Sequence, residues 1–460
     1  MSGTQRNFFA LAGGEVTSRA VGFLATALLA RRLGADEFGV LGLAFAVTSY
    51  FMVPGIGLQD LAAREVAKHP ADAARLASSI TRVRLLSAVG LVLLAGLIAA
   101  VLPKPPLVRS VVALSALVLI PTAGNVGWMY KALERPNAVS ASLLFGQLVL
   151  LGGIVAFVHG SQDVLRVPVL QTVSEVAAAL LLASAMRGGW KDGSIREGIV
   201  ALRGATAALV ARYLRALTVT ADVVLLSFLG TDREVGLYTA AYRICFMLTA
   251  IAASAHVVFL PAQTRSRSDA VEGGAVLGRA LGLAWLAGAP LVIGGILVAP
   301  DLLAFVFGEQ YRSAGPALQL LLASTGLLFV HGVMRNVLLV QNRLRTDARI
   351  NAVAAFGNIG ANLFVIPKYG PAGAALVMVA TDAAILIGNV AAIRWAGWRV
   401  SLRPFLAPTL AASAMAAVLY VLPHSLHVTV QVACGGAVYV LCLALSGNLS
   451  RWRAALLPTA

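Results

Sequence analysis

Charge is scarce in this sequence. Asp, Glu, Lys and Arg together make up 12% of 460 residues, against about a quarter in soluble domains, while hydrophobic residues reach 59%. Such a chain cannot use water as its main solvent. Acidic residues are the rarer sign: 20 Asp and Glu stand against 36 Lys and Arg, a formal net charge of +16. In a soluble protein that excess points to nucleic acid, whereas in a membrane protein it marks a basic cytoplasmic face, so the placement of the charges decides. Cysteine is nearly absent. Cys245, Cys434 and Cys442 each lie in an apolar segment without metal-ligand spacing, so they read as small core residues and neither disulfide nor metal is expected. No Walker A, HExxH or nucleophile-elbow pattern occurs, and no connecting segment is long enough to house a catalytic constellation; no catalytic residue and no cofactor is expected. No small-residue cleavage site follows the first apolar run, which reads as an uncleaved span.

What the sequence has in abundance is apolar length. A spanning helix needs about 20 mostly apolar residues. Runs bounded by charge, Gly and Pro predict helices over 8–33, 38–62, 79–102, 109–131, 138–159, 166–187, 205–229, 236–262, 276–299, 314–339, 347–367, 370–395, 403–422 and 426–446. The fold class is therefore all-α and polytopic, with about fourteen spans. If the N-terminus is cytoplasmic, the even-numbered loops and both tails hold 23 Lys and Arg, and the odd-numbered loops hold 8. By the positive-inside rule this asymmetry places both termini in the cytoplasm, and the basic skirt meets lipid headgroups, not nucleic acid.

The chain also repeats itself. Leu33-Gly34-Ala35-Asp36-Glu37-Phe38-Gly39 matches Leu229-Gly230-Thr231-Asp232-Arg233-Glu234-Val235-Gly236 at an offset of 196, with one inserted residue before the last glycine. The first helix-loop-helix recurs as the seventh and eighth. An even number of intervening spans gives both copies the same orientation, so two parallel lobes are expected, 1–190 and 205–395, with two further helices over 403–446.

Four stretches carry a resemblance. They are Leu29 to Gly39, continued by Gly57-Leu58 and Ala63-Arg64-Glu65-Val66-Ala67; Trp128-Met129-Tyr130-Lys131-Ala132-Leu133-Glu134-Arg135; Phe307-Gly308-Glu309-Gln310-Tyr311-Arg312-Ser313-Ala314; and Ile366-Pro367-Lys368-Tyr369-Gly370-Pro371-Ala372-Gly373-Ala374-Ala375. In this order they resemble the Wzx-type polysaccharide flippases of the multidrug, oligosaccharidyl-lipid and polysaccharide exporter superfamily. The resemblance implies a V-shaped pair of six-helix lobes in a bacterial cytoplasmic membrane. It implies a substrate too, an undecaprenyl-diphosphate-linked oligosaccharide, and it implies a polysaccharide polymerase and glycosyltransferases as partners. Most motif residues also have a structural reading: Gly34 and Gly39 suit a tight connection, Asp36 can cap the second helix, and Pro367 with Gly370 can end one helix and open the next.

Charges inside spans are the candidate site. An Arg at a helix centre costs about 2.5–3.5 kcal/mol on the lenient insertion scale, so it faces a watery cavity or a partner. Arg19 and Arg215 are 196 apart and thus equivalent in the repeat. Together with Arg243 they are the candidate ligands of a diphosphate, whose oxygens a guanidinium pairs bidentately. The competing reading pairs Arg19 with Glu15 and Arg215 with Asp222. Glu15, Glu175, Asp222 and Asp382 are candidates for ion coupling or for holding these arginines. Arg212 and Arg335 lie near span ends and can snorkel; His331 precedes Arg335 by one turn, and a lone His256 reads as hydrogen-bonded to a neighbour. Asn448-Leu449-Ser450 is a sequon in a tail expected to be cytoplasmic and is dismissed. The competing functions are a multidrug extruder of the same superfamily, a membrane-bound glycan polymerase or ligase, and a non-transporting scaffold.

Overall fold

Each apolar segment expected from the sequence is helical over most of its described length in the computed structural model, which describes residues 3–184, 193–202, 213, 220–266, 269–398, 401, 403–423 and 426–446. A chain in hydrocarbon must satisfy its own backbone, and a helix does so within the segment. The helices are α1 (Gly3–Leu33), α2 (Ala35–Lys68), α3 (Ala73–Val101), α4 (Pro106–Ser115), α5 (Leu119–Gly124), α6 (Gly127–Ala132), α7 (Pro136–Phe157), α8 (Arg166–Ser184) and α9 (Ile195–Ala201). They continue as α10 (Thr220–Leu229), α11 (Asp232–Arg265), α12 (Ala270–Phe307), α13 (Gly315–Val340), α14 (Leu344–Trp395), α15 (Arg403–Val421) and α16 (Val428–Leu445). Among the described residues, ten stretches are long and apolar enough to cross a membrane, one of them being α4 to α6 taken together. The 52-residue α14 carries two expected spans, which meet at Gly370. There φ is 51° and ψ −134°, a backbone that glycine adopts without a Cβ clash, flanked by Pro367 and Pro371.

Two compact units divide the chain, Met1–Gly236 and Leu237–Ala460. In the first, α1, α2, α4, α7 and α8 bury Leu29, Leu33, Leu41, Val111 and Ile154 in one core. A second core gathers Val66, Ile80, Trp128 and Tyr130 from α2, α3 and α6. In the second unit, α12, α13 and α14 close around Leu277, Leu281, Phe329 and Ile393, and α15 with α16 packs onto α12 through Ala289, Met415 and Tyr439. Large apolar side chains also stand on the outside: Leu93 is 69% exposed and Phe364 76%. A bundle solvated by lipid tails has no reason to hide them.

The repeat has a physical meeting point inside the first unit. A Cβ on Gly39 would lie 1.7 Å from the Asp232 carbonyl oxygen, and one on Gly236 would lie 1.9 Å from that of Ala35. The equivalent glycines of the two copies thus let the first turns of α2 and α11 cross backbone to backbone. Gly39→Ala and Gly236→Ala are each expected to destabilise this packing by about 1–3 kcal/mol, the usual range for overpacking, and so to lower the thermal unfolding midpoint. Gly55→Ala and Gly90→Ala, which open onto free space, should leave it unchanged.

The motif residues cap and staple. Arg32 on α1 donates to the carbonyls of Ile154, Val155 and Val158, which end α7. Asp36, expected to cap α2, makes no side-chain cap; Gly34 holds that position and Asp36 sits in the first turn, where its charge faces the positive end of the helix. In the second copy the cap is a reciprocal one between Thr231 and Glu234, at 2.8 Å and 3.2 Å. The short α9 docks on α3: the Ser79 hydroxyl donates to Glu197 at 2.9 Å, and Arg75 pairs with Glu197 at 3.2 Å. These partners, Ser79 first, hold the Glu197 carboxyl below its usual value of 4.5. A depressed value stabilises the dock above pH 4.5 and loses it as the pH falls through the folded value. Protection of the amides of residues 195–201, with exchange normalised to its intrinsic rate at each pH, should therefore fall on acidification, and at neutral pH in Ser79→Ala.

Candidate functional site

Polar side chains on the long helices form several separate groups in each unit. In the first unit, α1 meets α7 at close quarters: a Cβ on Gly14 would lie 2.3 Å from Ser140 Cβ, and one on Gly22 would lie 2.7 Å from Gln147 Oε1. That contact sets the face of α1 carrying Glu15 and Arg19. Glu15 pairs with Lys131 at 3.4 Å, a residue of the second motif on α6. Arg19 is exposed and has no ion pair among the described residues. The Arg19–Glu15 pairing weighed from the sequence is thus not the arrangement found, because α6 brings an ammonium to Glu15 from 116 residues away. Glu175 is half-buried on α8, without an ion pair among the described residues. Asp222 on α10 is 1% exposed, beside Tyr50, whose hydroxyl is hydrogen-bonded with Thr220. Arg212 and Arg215 lie outside the described residues, and with them the pairing of Arg215 with Asp222.

One intramembrane arginine escaped the sequence reading. Arg84 lies inside the span expected over 79–102, α3 begins at Ala73, and the side chain, 1% exposed, is the largest fully buried one among the described residues. Its guanidinium donates to the Thr122 carbonyl at 2.8 Å and the Asn125 carbonyl at 3.0 Å. Those groups end α5, where the fourth span breaks before restarting as α6, and a broken helix leaves carbonyls without partners. The Asn125 side chain accepts from the Gly127 amide at 2.8 Å on the far side of the break. Arg84 therefore fixes the break that presents Lys131 to Glu15. Its signal was in the sequence, a guanidinium inside the expected span 79–102.

In the second unit Arg243 is half-buried on α11. Of His256, the side chain lies outside the described residues. Arg335, read as a snorkelling residue, instead pairs with Asp347 at 3.1 Å, joining the end of α13 to the start of α14. Asn351 donates to the same carboxylate at 3.0 Å. Asp382 is the site candidate with a complete set of neighbours. Its carboxylate accepts from the Ser324 hydroxyl and faces His331 Nε2 at 3.2 Å, and all three residues are buried. Asn389 donates to the His331 carbonyl at 3.2 Å, and Asn358 donates to Thr381 at 3.0 Å, next to Asp382. Sequence reading named Asp382 and His331 separately. Nothing in the pattern joins residues 51 apart across a kinked helix. Among the described residues no group of three His, Cys, Asp or Glu is placed to hold a metal.

Comparison with known proteins supplies a context for these groups. The family model described as "Polysaccharide biosynthesis protein" matches residues 4–266. A probable flippase AglR of Haloferax volcanii is 25% identical, over 95% of this chain and 94% of that one. Among solved structures, the lipid II flippase MurJ in an inward closed conformation superposes with a TM-score of 0.78, at 13% identity, over 95% of this chain and 98% of that one. An inward-facing multidrug resistance MATE family transporter of the MOP superfamily gives 0.67 at 15% identity, over 82% and 94%. The fold is that of these multi-pass membrane proteins.

Proposed function

The chain belongs to the polysaccharide biosynthesis protein family, and from that premise we propose that it is a flippase. Its cargo is a polyprenyl-diphosphate-linked oligosaccharide, carried from the cytoplasmic to the outer leaflet by alternating access of lobes 1–190 and 205–395. The fold by itself does not choose, since flippases and multidrug transporters share it. Charge chooses. Arg19 is an exposed guanidinium on α1 with no carboxylate partner among the described residues, and the repeat carries Arg215 at the matching position. Fixed cations suit a diphosphate and repel the organic cations that a multidrug site must attract.

The polyprenyl tail can stay in lipid while the headgroup cannot cross about 30 Å of hydrocarbon unaided, so the protein has only to lower the barrier for the charged end. Nothing in that task breaks a covalent bond, and the family's relatives named above are transporters. Undecaprenyl as the carrier, a bacterial cytoplasmic membrane with both termini inside, and a polymerase with glycosyltransferases as partners complete the proposal. Reporter fusions should read as cytoplasmic within residues 188–204 and as external near Asp232.

The decisive measurement uses vesicles holding the purified protein and a fluorescent undecaprenyl-diphosphate-linked oligosaccharide. Dithionite added outside bleaches only outer-leaflet label. With a flippase present, nearly all the label becomes accessible; with protein-free vesicles, the inner-leaflet share stays protected. Efflux of an organic cation such as ethidium with no movement of the labelled lipid would favour the multidrug reading instead.

A further inference from the structure

We propose that the buried pair His331–Asp382 is a proton-binding site, and that occupancy of this site by one proton is coupled to the transport cycle; the coupling rests on the transport reading above. Both residues lie on spanning helices, His331 in the middle of α13 and Asp382 on α14 beyond the Gly370 kink, and they are 7% and 5% exposed. A carboxylate in such a place is held by donors, and here two point at it, the Ser324 hydroxyl and His331 Nε2 at 3.2 Å. Nε2 donating to the carboxylate leaves Nδ1 as the proton acceptor of a neutral ring. Nδ1 is buried and has no hydrogen-bond partner among the described residues. Asn389 donates to the backbone carbonyl of His331, tying α14 to α13 beside the dyad.

The ligand chemistry follows from the donors. A sodium ion needs several oxygen acceptors converging on one point. Here each carboxylate oxygen is already met by a donor, so the pair offers no such cage, whereas a carboxylate and an imidazole in contact titrate as one unit. Without the extra proton the dyad carries one negative charge, and with it the net charge is zero, whether the proton rests on the ring or on the carboxylate. Low-dielectric surroundings disfavour net charge, so closing the dyad away from water favours the occupied form and opening it permits release. Proton occupancy and access to water are thereby linked.

The other charged and titratable groups around the dyad are accounted for. Arg335, one turn past His331 on α13, is engaged by Asp347 of α14. From α11, the Cys245 thiol is hydrogen-bonded with Thr325, beside Ser324, and Arg243 and Tyr242 precede it on the same helix. From α12 the residues turned into the shared core are Leu277, Ala280, Leu281 and Ala284, while Arg279 is exposed.

Two measurements test the site. The first uses the protein in lipid nanodiscs with 15N-labelled histidine, where His331→Gln identifies one signal among six histidines. With 13C-labelled aspartate added, the dyad should take up one proton between pH 5 and 9, seen at the His331 nitrogens or at the Asp382 carboxyl, and Asp382→Asn should change the pH dependence of the His331 signal. If neither the His331 nitrogens nor the Asp382 carboxyl changes across that range in the unaltered protein, the proposal is overturned, whatever either variant does to folding. The second measurement follows the fluorescent lipid-linked oligosaccharide in vesicles under an imposed pH gradient. One proton per lipid should shift the steady-state leaflet ratio about tenfold per pH unit, and the shift should vanish in His331→Gln or Asp382→Asn. A ratio indifferent to the gradient in the unaltered protein overturns the coupling while leaving the flippase reading intact. A titrating dyad in a protein that moves no labelled lipid supports the proton site and removes the flippase reading.

Discussion

Arg19→Ala and Arg215→Ala are each expected to cut movement of lipid-linked oligosaccharide by about tenfold to a hundredfold while the protein stays inserted and abundant. A hydrogen bond to a charged group is worth about 1.5–3 kcal/mol, and a loss of that size at the rate-limiting barrier converts into the stated range. The structure strengthens the case for Arg19 by removing its competing role. Had Glu15 been its partner, alanine would have stranded a carboxylate in the membrane; Glu15 is instead paired with Lys131, and Arg19 has no ion pair among the described residues. Lysine at either position should restore activity only in part, because an ammonium is a point charge and a diphosphate offers oxygens spaced for a fork. The check is the dithionite assay on vesicles with matched protein content. Normal rates for both alanine variants would end the cationic-site hypothesis. If loss of transport tracks loss of protein from the membrane, these arginines act in folding.

Arg84→Leu should have the largest effect on stability in the protein. The guanidinium is wholly buried and is the partner of two carbonyls at the break in the fourth span, so removing it leaves both without a donor where water does not reach them. Leaving a buried carbonyl without its donor costs about 1–3 kcal/mol, so losing two is a large part of the stability of an ordinary domain. Thermal unfolding in detergent should show a midpoint lowered by many degrees, and steady-state abundance in the membrane should fall. Arg84→Lys should recover some of this, since one ammonium cannot reach both carbonyls with the same geometry. A variant as stable as the parent would mean that the break at Asn125 is held by its own Asx contact to Gly127 alone. A second readout separates positioning from mere stability: when the break shifts, Lys131 leaves Glu15, and cross-linking of Glu15→Cys to Lys131→Cys by a short bis-maleimide should slow in the Arg84→Lys background.

The sequence by itself determined the class of protein, the helices and their repeat. Hydrophobic length is a local property, and a backbone in lipid has one local way to satisfy itself, so runs such as 138–159 and 403–422 appear as α7, Pro136–Phe157, and α15, Arg403–Val421. The repeat was legible for the same reason, and its two glycines, Gly39 and Gly236, turned out to meet. Even the kink could be read, since Pro367, Gly370 and Pro371 restrict the backbone where they stand. Only the tertiary structure decided what each buried charge does. Lys131 reaches Glu15 across 116 residues, Arg84 reaches Thr122 and Asn125 across 38 and 41, and His331 reaches Asp382 across 51. A charge in an apolar run announces that it needs a partner, because solvation is denied to it. Which partner it finds depends on helix rotation and packing, and these arise from contacts among small residues such as Gly14, Gly22 and Gly146 that hydropathy does not register.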